Sequence, residues 1–68
     1  MTVTVNGSPC EVGDAPTLAD LVETALGHRR PPGVAVAVNE TVVRRSAWEE
    51  HRVRPGDRVE IVTAVQGG

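Results

Sequence analysis

The sequence predicts an α+β domain: a mixed sheet of four to five strands with one main helix packed across one face. Three observations lead there. Alternation of apolar and polar residues marks segments near both ends of the chain, a single internal stretch carries helical periodicity, and 68 residues suffice for only one small core. A chain of this length is expected to have a radius of gyration of about 11 Å and to bury only about 60% of the surface its unfolded form exposes. Stability is therefore marginal, and no depth remains for an enclosed active site beside the core. This favours a binding module or carrier over a stand-alone enzyme, and no catalytic residue is assigned.

Thr2-Val3-Thr4-Val5 alternates polar and β-branched residues up to Asn6-Gly7, a strong hairpin signal, and Ser8-Pro9-Cys10-Glu11-Val12 resumes the alternation. In this parity Val3, Val5, Cys10 and Val12 line one face while Thr2, Thr4, Pro9 and Glu11 meet water. Cys10 is expected to be a buried, inert packing residue, as free cysteines usually are, with a redox or persulfide-handling thiol as the alternative. Gly13-Asp14-Ala15-Pro16 breaks the strand, and Thr17-Leu18-Ala19-Asp20 has the form of a capping box opening a helix. Leu18, Leu21, Val22, Ala25 and Leu26 then make one apolar stripe over about ten residues. Gly27 suits a left-handed cap, and Pro31-Pro32 bars regular structure beyond it. His28, Arg29 and Arg30 read as a solvated helix end whose positive charge complements the helix dipole, with partner docking as the alternative.

Val34-Ala35-Val36-Ala37-Val38 is apolar at both parities, so either both faces of that strand are covered or one is covered and the other docks. Asn39-Glu40 turns the chain into a short return strand, Thr41-Val42-Val43. Ser46 is a possible cap for one helical or 3₁₀ turn with Glu49 three residues on, and Trp48 is expected as the lid of a secondary cluster. Pro55-Gly56-Asp57 forms a turn before the last strand, 58–65, in which Val59 and Ile61 take the core parity and Val62 and Ala64 the opposite one. On a half-exposed face Val62 and Ala64, with whichever parity of 34–38 points outward, would form an apolar docking patch. A sheet that holds this last strand in its middle gives the residues after it a rigid base.

The composition excludes several function classes. A net charge of −2 offers no basic footprint for nucleic acid, and a single tryptophan offers no stacking platform for its bases. One cysteine rules out a disulfide framework and any multi-thiolate metal site, so no metal is assigned. Neither a membrane span nor a signal peptide is predicted, and the protein is expected in the cytoplasm. All seven basic residues are arginine, so only the α-amine remains for isopeptide-type modification of the chain itself.

Thr63-Ala64-Val65-Gln66-Gly67-Gly68 closes the sequence on two glycines. With no Cβ on either, the last backbone units can thread a narrow channel, and no side chain shields the terminal carbon. Extended over four residues, Val65 to Gly68 span about 13–14 Å, enough to carry that carbon from the domain surface into a partner's site. The expected division is a domain over 1–64 and a flexible tail over 65–68. At neutral pH an α-carboxylate, with its ordinary pKa of about 3.3–3.7, is a poor electrophile. Acyl chemistry would need activation, as by an acyl-adenylate from ATP, and the chain has no phosphate loop of its own, so a separate enzyme must provide it.

Four segments together resemble the ThiS family, the sulfur carriers of thiamine (thiazole) biosynthesis, within the ubiquitin-like β-grasp fold. They are Val5-Asn6-Gly7, Val36-Ala37-Val38-Asn39, Val43-Arg44-Arg45-Ser46-Ala47-Trp48 and the closing stretch 55–68, of which the last is the most specific. Arg44 departs from the pattern, where a proline is common in relatives, and the loop over 28–33 is idiosyncratic. The resemblance implies that a ubiquitin-activating-like enzyme adenylates Gly68 with ATP and magnesium, no cofactor being held by the chain itself. A cysteine desulfurase or other sulfur donor then supplies a persulfide, Gly68 becomes a thiocarboxylate, and thiazole synthase takes the sulfur. It further implies channel entry through Gly67, with Gln66 and Val65 read by the channel; Val62 and Ala64 as docking residues come from strand parity instead. The same tail would serve a carrier for molybdopterin or another thiolation route, or a ubiquitin-like protein modifier.

Overall fold

Two tight turns with left-handed backbones set the frame. Asn6 (φ 51°) and Gly7 (φ 84°) join β1 (Thr2–Val5) to β2 (Ser8–Glu11), the pair of positive φ values that a type I′ hairpin turn requires. Asn39 (φ 50°) and Glu40 (φ 72°) do the same between β3 (Val34–Val38) and β4 (Thr41–Val43). The computed structural model describes residues 1–63, and in it these hairpins flank β5 (Arg58–Thr63) in one five-stranded sheet of order β2-β1-β5-β3-β4. β5 runs parallel to β1 and antiparallel to β3, with Val5 beside Val59 and Val34 beside Thr63. The last strand is thus the central one, as expected; positions 64 and 65 of its predicted span lie outside the described residues.

One helix, α1 (Leu18–Leu26), covers the inner face of this sheet. Its capping box is complete: Asp20 N donates to Thr17 Oγ1 at 3.1 Å and Thr17 N donates to Asp20 Oδ2 at 2.9 Å. The other two first-turn donors go to the segment after β4, Leu18 N to His51 O at 2.9 Å and Ala19 N to Trp48 O at 3.1 Å. No N–H of the first turn is left without a partner, and the helix start is tied to residues distant in sequence. Gly27 (φ 79°) closes the other end, its N–H donating to Glu23 O at 2.7 Å.

The core consists of Val3, Val36, Val38, Val59 and Ile61 from the sheet, Leu18, Ala19, Leu21 and Val22 from α1, and Trp48 and Val53 from the connecting segment. Trp48 is 0% exposed, so it is a central core residue and not the lid of a secondary cluster. Its indole N–H donates to Val43 O at 2.9 Å, which satisfies the one polar atom of the ring where it is buried. The apolar stripe of α1 is shorter than its sequence pattern: Ala25 is exposed and Leu26 is 42% exposed, neither belonging to the core.

Three further expectations change. Cys10 is half-buried, packed against the core from β2, because β2 is an edge strand and leaves one side of the thiol open. The 3₁₀ turn spans Arg45–Ala47 with Arg44 at its start and no side-chain cap, so Ser46 lies inside the turn and does not begin it. Arg29 is more than a solvated helix end. Its guanidinium donates to Asp20 Oδ1 at 2.7 Å, Glu23 Oε1 at 3.1 Å and Glu49 Oε1 at 3.1 Å, joining the helix to the turn that follows Trp48.

Candidate functional site

The alternation of β5 decides what its two faces offer. Val59 and Ile61 point into the core, which leaves Arg58, Glu60 and Val62 on the outer face. In the β3–β5 register Val62 is opposite Ala35 and Glu60 is opposite Ala37. Across β3, Ala37 is in turn opposite Val42 of β4. Val62 is 61% exposed and Val42 73% exposed, so Ala35, Ala37, Val42 and Val62 form one apolar patch on the side of the sheet away from α1. The two alanines keep it flat, since β3 adds no bulk between the valines.

This settles the ambiguity of 34–38: one face is covered by α1 and the other is bare. Val62 stands where parity placed it. Ala64, Val65, Gln66, Gly67 and Gly68, with the boundary between domain and tail, lie outside the described residues. Val42 is the member of the patch that sequence reasoning missed. A two-residue turn at Asn39-Glu40 fixes the register of the hairpin, which puts Val42 beside Ala37, so the signal was present in the turn length.

The charged groups sit around the patch. Glu60 borders it on β5, and Arg44 follows β4 with an extended backbone (φ −68°, ψ 150°), one position beyond the Val36–Val43 pair and on the same parity as Val42. On the other side of the molecule, the Asp20 carboxyl is held below the usual carboxylate range, first by the Thr17 N–H and then by the Arg29 guanidinium. That cluster braces α1 and has no contact with the patch. Cys10 pairs with Val3 on the inward parity of the hairpin, so the sheet does not bring the thiol to the outer face.

Among the described residues no group of three potential metal ligands comes together, and no helix is long and apolar enough to cross a membrane. An open groove of about 670 Å³ is lined in part by Asn39, His51, Arg52, Arg54 and Asp57. It lies at the Arg58 end of β5, whereas the Gly-Gly sequence follows the Thr63 end.

The ThiS family model matches residues 3–68, nearly the whole chain. The chain belongs to the ThiS family. The sulfur carrier protein ThiS of Escherichia coli (strain K12) is 28% identical over 68 residues, covering all of both chains. The crystal structure of a thiamine biosynthesis protein (ThiS) from Geobacter metallireducens superposes with a TM-score of 0.77 at 34% identity, again over all of both chains. A solution NMR structure of a thiamine biosynthesis protein from Geobacter metallireducens gives a TM-score of 0.80 at 30% identity, covering all of this chain and 88% of that one. The mixed five-stranded sheet and single helix are the β-grasp fold of these ThiS proteins.

Proposed function

We propose that this chain, a ThiS-family sulfur carrier of thiamine biosynthesis, holds its sulfur as a thiocarboxylate on Gly68. The observation that carries the reading is the course of β5: the strand pinned on both sides in the middle of the sheet is the one that leads into Val65-Gln66-Gly67-Gly68. A partner activating enzyme of the ubiquitin-activating type, using ATP and magnesium, converts the Gly68 carboxylate into an acyl-adenylate and releases pyrophosphate. A persulfide from a cysteine desulfurase or other donor attacks the carbonyl carbon and AMP leaves. A second thiol then reduces the resulting acyl disulfide, forming a disulfide with the donor's sulfur and freeing the thiocarboxylate, and thiazole synthase takes the sulfur.

In each step the chain is a co-substrate. Its contribution is to hold one carbonyl carbon where a partner's groups are already oriented, so that the reaction inside the partner is effectively intramolecular. Gly67 and Gly68 admit that carbon to a narrow channel because neither carries a Cβ. Val65 and Gln66 are the residues such a channel reads, and Val62, Ala64, Ala35, Ala37 and Val42 dock the outer face on the partner. The ATP requirement fits the cytoplasmic location expected from the sequence. Expression of the chain in a thiamine auxotroph lacking its own ThiS tests the reading. Growth without thiamine, abolished by deleting Gly67 and Gly68, is the expected result; growth that survives the deletion would overturn it.

A further inference from the structure

β1 ends at Val5, but β5 continues to Thr63, so the second half of β5 has no strand on its β1 side. Asn6 takes over that position. Its backbone N donates to Val59 O at 2.9 Å, and its side chain then does what the next residue of a strand would do. Oδ1 accepts from Ile61 N at 2.8 Å and Nδ2 donates to Ile61 O at 3.1 Å. A carboxamide carries one acceptor and two donors in a plane, so it matches a backbone N–H and C=O at once. Both polar groups of Ile61 therefore point away from β3, and at a residue only 8% exposed they have Asn6 as their partner.

The turn does not account for this. A type I′ turn accepts asparagine, aspartate or glycine at its first central position, and only the amide supplies both a donor and an acceptor to Ile61. Asn39, at the equivalent place in the other hairpin, grips the start of the same strand, its Oδ1 accepting from Arg58 N at 2.9 Å. β5 is thus held by an asparagine side chain near each end, and Asn6 is the one nearer the Gly-Gly sequence.

We infer that Asn6 is a positioning residue for the loading of Gly68: its amide latches Ile61 and fixes the direction in which β5 delivers the tail. The inference rests on the reading of Gly68 as the loaded residue. Without the latch, the last residues of β5 are held on one side only, by β3 through Ala35 opposite Val62 and Val34 opposite Thr63. The end of the strand opens more often, and the carbonyl carbon spends less time in the reactive geometry inside the partner.

The test uses the full chain with Asn6→Asp and Asn6→Gly. Both keep the turn; the first replaces the donor to Ile61 O by an acceptor and the second removes the amide altogether. In Asn6→Gly, which loses the acceptor for Ile61 N, hydrogen exchange of the Ile61 amide should quicken by about 10-fold, the size expected for one net hydrogen bond, while the β1–β2 amides keep their protection. Pyrophosphate release on loading by the activating enzyme should fall by roughly 5- to 10-fold in kcat/KM at a temperature where both variants are folded. Val22→Ala, a core change on α1 that leaves both hydrogen bonds between Asn6 and Ile61 in place, should lower the melting temperature and load like wild type. Should the aspartate variant fail to fold, the glycine variant reads the same two quantities. Unchanged exchange at Ile61 in Asn6→Gly, wild-type loading by both variants, or equal impairment of Val22→Ala would each overturn the positioning role. A wild-type chain that is not loaded would instead overturn the carrier reading, and the inference with it.

Discussion

Replacing Val62 by aspartate tests the outer face most sharply. Val62 is 61% exposed, so the fold uses little of its side chain and a partner can still cover most of it. Full burial of a valine side chain contributes about 1.5–3 kcal/mol, so covering the exposed part contributes about 1–2 kcal/mol, or about 5- to 30-fold in affinity. A carboxylate in that place also has to be desolvated or kept out of the contact, so this factor is a minimum for Val62→Asp. Val42→Asp should act the same way, since Val42 is 73% exposed on the same patch. Leu26→Asp is the control: Leu26 is 42% exposed, but it belongs to the helix on the other side of the sheet. Titration calorimetry against the activating enzyme at fixed ionic strength gives the affinities. Emission of Trp48, the sole tryptophan and fully buried, reports the melting of each variant. Binding of Val62→Asp within twofold of wild type, or a loss for Leu26→Asp as large as for Val62→Asp, would refute the assignment of the face.

Two further predictions concern the fold that presents this face. Glu40 holds φ 72°, a left-handed backbone without a glycine, and its ion pair with Arg58 is long at 3.9 Å and exposed. Glu40→Gly removes about 1–2 kcal/mol of backbone cost and adds back about 0.5–1 kcal/mol of chain entropy, a net gain of about 0.5–1 kcal/mol. At about 4–8 °C per kcal/mol for a domain of this size, the melting temperature should rise by about 2–8 °C, and a fall would show that the Glu40 side chain matters more than its backbone. Asp20 gives a pH dependence. Its carboxyl is held below the ordinary value by the Thr17 N–H and then by Arg29, so on acidification the unfolded chain takes up this proton first. The stabilisation is fully present above the ordinary aspartate value of about 3.9 and is lost as pH falls through that value toward the folded one. Asp20→Asn should therefore flatten the acid limb of melting temperature against pH, and a limb of unchanged slope would count against the cluster.

What was legible in the sequence was what local chemistry dictates. Asn6-Gly7 and Asn39-Glu40 announced their hairpins because a two-residue turn needs positive φ, and Thr17 to Asp20 announced the helix because a capping box is contained in four residues. Alternation gave the faces of β1 and β5, but 34–38 is apolar at both parities and only the placement of α1 decides which side is bare. Trp48 was misread because its burial depends on core partners distant in the chain, among them α1, whose Ala19 N–H donates to the Trp48 carbonyl. Arg29 was misread for the same reason, since Glu49 lies twenty residues further on and completes the cluster only in the fold. The amide of Asn6 was hidden by its own turn, which explains an asparagine there without any contact to Ile61. Gly67 and Gly68, to which the proposed function assigns the chemistry, are read from the sequence alone, through their lack of a side chain, and lie outside the described residues.

The central claim is that sulfur resides on the last carbon of the chain. Intact-mass spectrometry after incubation with host lysate, ATP and cysteine, followed by localisation of the change, tests it directly. The account predicts a gain equal to exchanging one oxygen for one sulfur, confined to Gly68 and absent without ATP. An unchanged mass in a lysate that thiolates another carrier, or an adduct of protein size joined through Gly68, would contradict it.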